Sequence, residues 1–247
     1  MNTRKIIMGL LFNLLFLSAC LSTTVGSDKS GNTLLKVTTK RVIAGAKTDV
    51  EKAEKIYYFV RDEIKFGWIY PQEIPVDEVL KNKKGVCMQK ANLLVAMARE
   101  AGLKARFHFM YVHKTALEDF VPEFAYKRWV DPFVHTFPEV YLNSKWVSLE
   151  VTFDKELHEI CLKKKCNFGK YPEIAEKVSI DFSPEGVKGH QQYVHAEGLE
   201  SFYGDDLSEF TKYMHKDVPF WKRMLQPIIF KKADNIMKEL RNEIPER

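Results

Sequence analysis

The stretch GVCMQKANLLVAMAREAGLKAR, residues 85–106 of the 247-residue chain, carries the pattern that decides the fold. Ala91, Leu94, Val95 and Ala98 recur at three- and four-residue intervals, which sets them on one face of a helix. Gly102 is the natural stop, because helix ends commonly need a left-handed residue and glycine adopts that geometry without steric cost. Cys87 stands where the helix begins. Amide hydrogens of a first helical turn lack intrahelical partners, and the positive end of the helix dipole lies there, so the site favours a thiolate over a thiol. Alone, such a cysteine is more often a small buried hydrophobe.

Working outward, Thr48 and Glu51 make a capping-box pattern. Val50, Ala53, Ile56, Tyr57, Val60 and Ile64 follow it at helical spacing, and Gly67 ends that helix. Pro71 and Pro75 mark a loop, with a short helix around Val76 to Leu80. Downstream, Arg106 to Val112, His135 to Leu142 and Trp146 to Phe153 read as strands, the last two joined by Asn143-Ser144. An aromatic-rich insertion, Lys114 to Val134, separates the first two strands and suits either a lid or satellite packing. From Pro219 to Leu240 a second long amphipathic helix is predicted, kinked or divided by Pro227. It reads as packed on the domain's own core rather than on a membrane or partner. Helices, then a sheet, then helices again predict an α+β fold.

The hairpin turns the lone cysteine into half of a pair. With Asn143-Ser144 as a two-residue turn, paired residue numbers sum to 287, unless Pro138 forces a bulge. His135 then lies opposite Thr152, with Glu150 and Asp154 as diagonal neighbours on the same face, ~7–8 Å away. Val140, Leu142, Val147, Leu149, Val151 and Phe153 form the opposite, apolar face. An ionisable cluster of His135, Glu150 and Asp154 on the inner side of a sheet marks a candidate site.

At this point the chain resembles the transglutaminase-like superfamily. Gly85-Val86-Cys87, the alanine-rich helix and Ala101-Gly102-Leu103-Lys104-Ala105-Arg106 are similar to that family's cysteine helix and the Gly-Ile-Pro-Ala-Arg after it. His135 through Tyr141, Trp146 and Glu150-Val151-Thr152 resemble its histidine strand, tryptophan and Asp-Pro-Thr strand, and the helix ending in Val60-Arg61 also fits. The match covers about Ala53 to Asp154. It implies a papain-like core, with the cysteine at a helix N-terminus packed on an antiparallel sheet and C-terminal helices added. It also implies Cys87 as nucleophile, His135 as general base and acid, and Glu150 as the carboxylate that orients the imidazole. Glu150 stands where the family has aspartate and Val151 where it has proline, and Asp154 is the alternative third member. The Cys87 amide is the first oxyanion donor, with Trp68, Tyr70 or Gln72 as second.

The N-terminus reads as an address. Arg4 and Lys5 precede an apolar run from Ile6 to Leu17, shorter than the ~20 residues of a spanning helix. Leu17-Ser18-Ala19-Cys20 resembles the bacterial lipobox, which implies cleavage before Cys20 and lipid on its thiol. Each buried methylene of such a chain adds ~0.8 kcal/mol to membrane attachment. The organisation expected is therefore a signal peptide at 1–19, a Ser/Thr/Gly-rich tether at 20–34, the transglutaminase-like domain at 35–155 and a helical extension at 156–247.

Composition narrows the function. Without Arg4 and Lys5 the chain keeps 36 basic residues against 33 acidic, too mild and too scattered an excess for a nucleic-acid binder. His158, Cys161 and Cys166 lack a fourth metal ligand at suitable spacing, so a Cys161–Cys166 disulfide is the expected pairing in an exported protein. His108 and His113 read as surface or hydrogen-bonded core histidines, and neither metal nor cofactor is called for. The expectation is an envelope-anchored, cysteine-dependent acyl-transfer enzyme acting on a peptide or protein through a thioester, by hydrolysis or by transfer to an amine. The alternative is a non-catalytic lipoprotein that uses the same fold for binding.

Overall fold

The computed structural model describes residues 34–242 except 72, 165–181, 184–186, 190–195, 197, 209 and 212–219. Helix α1, Leu34–Val42, is followed by α2, Asp49–Tyr58. Thr48 Oγ1 accepts from the Glu51 amide at 3.1 Å, while Glu51 Oε2 accepts from the Lys47 amide rather than from that of Thr48. The helix does not run unbroken to Ile64. Phe59–Glu63 forms a π-helical turn, which keeps Val60 and Arg61 buried before the chain straightens. The next segment is β1, Lys65–Phe66, and after it come α3, Val76–Asn82, and β2, Lys84–Gly85, which pairs parallel with β1.

Helix α4 spans Cys87–Glu100, and Gly102 takes φ +82° just beyond it, the left-handed geometry expected of the stop. Strands β3 (Ala105–Val112), β4 (Phe133–Leu142) and β5 (Lys145–Ser148) follow, with the short helix α5, Glu123–Tyr126, inside the insertion. Asn143 and Ser144 both have positive φ, 48° and 63°, the signature of a two-residue hairpin turn. The register is Glu139↔Ser148, Val140↔Val147, Tyr141↔Trp146 and Leu142↔Lys145, every pair summing to 287 as the turn requires. Pro138 introduces no shift, since its carbonyl still accepts from the Leu149 amide at 2.9 Å. Strand β5 nevertheless stops at Ser148 instead of continuing to Phe153. Proline has no N–H to return to Leu149, so the ladder ends there.

Helix α6, Lys155–Lys164, leads into the C-terminal part. Strand β6, Phe202–Gly204, joins β3 and completes an antiparallel sheet in the order β5-β4-β3-β6. Three residues are too few to show a strand period, so the extension's contribution to the sheet left no mark in the hydrophobic pattern. Helix α7 runs from Phe220 to Asn242 and carries Pro227 inside it without being divided.

The described residues thus form a mixed helix and sheet fold with two apolar clusters. One packs Ile56, Tyr57, Leu94 and Met97 of the helices on Phe107, Phe109, Val140 and Leu142 of the sheet. The other joins Phe66, Trp68, Met110, Phe137 and Phe153 to Phe120 of the insertion and to Phe230, Ala233 and Met237 of α7. The insertion is therefore packing: Phe120 is fully buried and its carbonyl accepts from the Trp68 indole at 3.1 Å. Helix α7 buries Phe230, Ala233 and Met237 along one face, while Met224, Leu225 and Ile228 nearer its start stay exposed.

Candidate active site

Cys87 is the first residue of α4, and Gly85 makes that start possible. A Cβ on Gly85 would meet Gln89 Cβ at 2.9 Å, and that close approach lets Gln89 Oε1 accept from the Val86 amide at 2.8 Å. Amides of the first helical turn have no intrahelical carbonyl to donate to. Cys87 is partly exposed, whereas Met88, Gln89, Lys90 and Ala91 behind it are buried.

His135 lies on the central strand β4, paired with Met110, and is 1% exposed. Its Nε2 lies 2.7 Å from Glu150 Oε2. The Cys87 side chain is its second hydrogen-bond partner. Burial works against a charged imidazole here. The charge and hydrogen bond of Glu150 and the hydrogen bond to Cys87 outweigh it, and the His135 pKa rises to about 10. Glu150 shows the mirror image. Burial alone would raise its pKa, yet the His135 charge, together with bonds from His135 and Thr152, holds it below the ordinary glutamate value.

The end of the ladder at Pro138 explains how Glu150 reaches its partner. Released from pairing, the chain after Leu149 turns so that Glu150 Oε1 accepts from the Thr152 amide at 3.0 Å, which fixes the carboxylate with Oε2 on the imidazole. Asp154 is fully buried but employed elsewhere. It accepts from the Phe66 amide at 2.8 Å and the Leu157 amide at 3.1 Å, and receives Arg241 of α7 through two bonds of 3.0 and 2.7 Å. It ties β1, α6 and α7 together.

Other residues singled out in the sequence fall less close to this chemistry. The Trp68 indole is committed to Phe120 and its ring stacks on Phe230 at 5.3 Å, so it does not serve as an oxyanion donor. Tyr70 is half-exposed, and Gln72 lies outside the described residues. His108 is a buried core histidine hydrogen-bonded through Nδ1 to Glu139 at 3.0 Å, with no partner for Nε2 among the described residues. His113 is exposed beside Asp131. His158 and Cys161 are both buried on α6. Cys166, the partner expected for Cys161, lies outside the described residues, as does Cys20.

Lys90 escaped the sequence reading, and Arg61 entered it only as the end of a helix. Lys90 is wholly buried, with Nζ donating to the Arg61 carbonyl at 3.0 Å. Arg61 is itself buried, bonded to Asp62 at 2.8 and 2.6 Å, its guanidinium 4.9 Å from the Tyr58 ring centre. The signal for Lys90 was present. Positions 87, 90 and 94 follow one another at helical spacing, so a lysine at 90 falls on the buried stripe rather than beside it.

Residues 36–151, which hold Cys87, His135 and Glu150, match the model of the transglutaminase-like superfamily. They form a transglutaminase-like domain. Solved structures with some similarity include the "putative cysteine protease" of Cytophaga hutchinsonii, 17% identical, with a TM-score of 0.37 over 48% of this chain and 36% of that one. A "putative protease" of Parabacteroides distasonis ATCC 8503 is 14% identical, with a TM-score of 0.34 over 49% of this chain and 27% of that one. This chain thus spans about a third of the length of the first and about a quarter of the second. A comparison with curated proteins found no match. Within the transglutaminase-like domain, the cysteine, the histidine and the glutamate come from a helix start, a central strand and the turn after an edge strand.

Proposed function

We propose that the protein is a cysteine-dependent acyl-transfer enzyme that acts on peptide or protein substrates, with Cys87 as nucleophile, His135 as general base and acid, and Glu150 as the group that orients and charges the imidazole. The observation that carries this reading is the continuous link from Cys87 through His135 to Glu150, closed by the 2.7 Å bond between Nε2 and Oε2. In the first step the Cys87 sulfur forms a bond to an amide carbonyl carbon. The resulting oxyanion faces the unpaired amides of the helix start, and the C–N bond breaks as His135 passes its proton to the departing amine. A thioester remains. Water or a second amine then attacks it, gives its proton to His135 and releases the thiolate, so hydrolysis and transfer share every residue named.

A supporting feature is the contrast in exposure: His135 and Glu150 are buried while Cys87 reaches solvent, so a substrate meets the sulfur first. The reading also includes export and attachment to a membrane through lipid on Cys20, supported by Leu17-Ser18-Ala19-Cys20 behind its apolar run.

Alkylation by iodoacetamide followed at neutral pH tests the site without knowledge of the substrate. Cys87 is expected to react far faster than a simple thiol, and His135→Ala to slow it about a hundredfold, within the range positioned acid–base groups supply. Unchanged labelling in that variant would overturn the enzyme reading and favour a binding role for the domain. For the anchor, Cys20→Ala is expected to leave the protein unlipidated by mass spectrometry. A wild-type protein with an unmodified amino terminus that fractionates wholly as soluble would remove this part of the reading.

A further inference from the structure

Helix α7 carries apolar side chains on two sides. Phe230, Ala233 and Met237 are buried, and the Phe230 ring stacks on Trp68 at 5.3 Å. Met224, Leu225 and Ile228 are 65%, 42% and 53% exposed. With 3.6 residues per turn, Met224 and Ile228 share one stripe, while Phe230, Ala233 and Met237 lie round the helix from it. A core that takes the second side leaves the first outside. Two further exposed rings adjoin the helix: Tyr70, 5.9 Å from the Phe230 ring, and Phe124, whose ring centre lies 5.2 Å from Lys232 Nζ.

Charge says what meets this outer side. From Phe220 to Lys232 the helix holds Lys222, Arg223, Lys231 and Lys232 and no Asp or Glu. Lys231 and Lys232, both exposed, come one turn after Ile228, so cations border the apolar stripe. A second copy of this chain would set the same cations against these, and like charges facing each other disfavour that pairing. A bilayer with anionic headgroups suits both features, because apolar side chains enter the acyl boundary while lysines extend to the headgroups. No described helix is long and apolar enough to cross a membrane, so the fitting arrangement is a helix in the plane of the surface. We propose that the start of α7 is a docking face for an anionic lipid surface, with Met224, Leu225 and Ile228 inserted and Lys231 and Lys232 at the headgroups. This goes beyond the acyl-transfer reading and does not depend on lipid at Cys20. The docked helix is joined to the candidate site, since Lys84, three residues before Cys87, donates to Asp234 of α7 at 2.8 Å.

The test uses the full chain carrying Cys20→Ala, so that no acyl chain contributes, and reads α7 locally by amide hydrogen exchange. Vesicles of phosphatidylcholine mixed with phosphatidylglycerol should slow exchange at the start of α7 about tenfold, and vesicles of phosphatidylcholine alone much less. The apolar run from Ile6 to Leu17 is common to every protein compared, so differences between variants belong to the helix. Met224→Asp with Ile228→Asp replaces two exposed side chains, and thermal melts confirm folding. This variant should lose the protection, and Lys231→Gln with Lys232→Gln should weaken binding to the mixed vesicles about tenfold. An α7 that exchanges alike with and without mixed vesicles, or an aspartate variant protected as well as the wild type, would overturn the proposal. Equal protection by both kinds of vesicle would overturn the choice of an anionic surface. Protection that grows with protein concentration in the absence of lipid, with a dimer in sedimentation, would assign the face to a second copy instead. Iodoacetamide labelling of Cys87 should keep its wild-type rate in the aspartate variant, so failure here leaves the acyl-transfer reading standing.

Discussion

Glu150 uses its extra methylene for reach. An aspartate at the same place, in a chain already turning away from β4, would carry its carboxylate about 1.5 Å short of the imidazole, the length of one carbon–carbon bond. In the proposed reaction Glu150→Gln keeps a group that can hydrogen-bond Nε2 but removes the charge that raises the His135 pKa. Turnover and Cys87 alkylation should each fall at least about a hundredfold, with the melting temperature changed little, as kinetics beside a thermal melt would show. Asp154→Asn should do the reverse. It removes the charge facing Arg241 and Lys90 inside the protein, where breaking a buried pair costs about 3–5 kcal/mol, so stability drops while the folded fraction keeps its rate. If Asp154→Asn alone abolishes alkylation in folded protein, the third role passes to Asp154. The sequence left these two carboxylates open because both are diagonal to His135 in a ladder extended through residue 154. What separates them is the end of that ladder at Pro138, and proline's missing donor was legible while its consequence for Glu150 was not.

Among the elements, α4 and the β4–β5 hairpin were readable because each has a local cause. Helical spacing with Gly102 at its end sets the first, and a two-residue turn that sets every later pair sets the second. The π-helical turn at Phe59–Glu63 and strand β6 were not readable, because both depend on partners distant in sequence. Helix α7 lies between these cases. Its amphipathic stripe is plain, but the stripe does not tell that the helix is held at its far end by one arginine. Arg241 bonds Asp154 twice, Glu156 at 3.1 Å and the Phe66 carbonyl at 3.2 Å. Phe66 belongs to β1, which runs beside β2 and so leads to Cys87. Arg241→Ala should cost about 3–5 kcal/mol in urea denaturation, since it removes the two-bonded partner of the buried Asp154 carboxylate. It should also speed amide hydrogen exchange in α7 and β1 before the rest of the sheet. Exchange that accelerates uniformly would mean that α7 is not a separately opening element.

For the whole molecule, buried ionisable groups of opposite habit make a test that no single contact can give. His135 has a folded pKa of about 10, above the 6.5 of a free histidine. The folded state therefore binds more protons than the unfolded state in that interval. The stability this adds is complete below about pH 6.5 and lost as pH rises through about 10. Lys90 runs the other way, with a folded pKa of about 7 against 10.5 for a free lysine. Between those values the unfolded chain holds the extra proton, so this contribution grows as pH rises from about 7. Across pH 7 to 10 the two oppose each other, and urea-denaturation free energies of the wild type should change little over that range. Removing either partner exposes the other. Lys90→Met should lose stability steadily from pH 7 to 10, because only the histidine's loss remains, whereas His135→Ala should gain it over the same interval. The two slopes must differ in sign, which separates this from any general effect of net charge, since each variant removes one basic group. Parallel slopes in the two variants would show that these two groups are not coupled to folding through opposite proton preferences, and would leave the near-neutral titration of Lys90 without support.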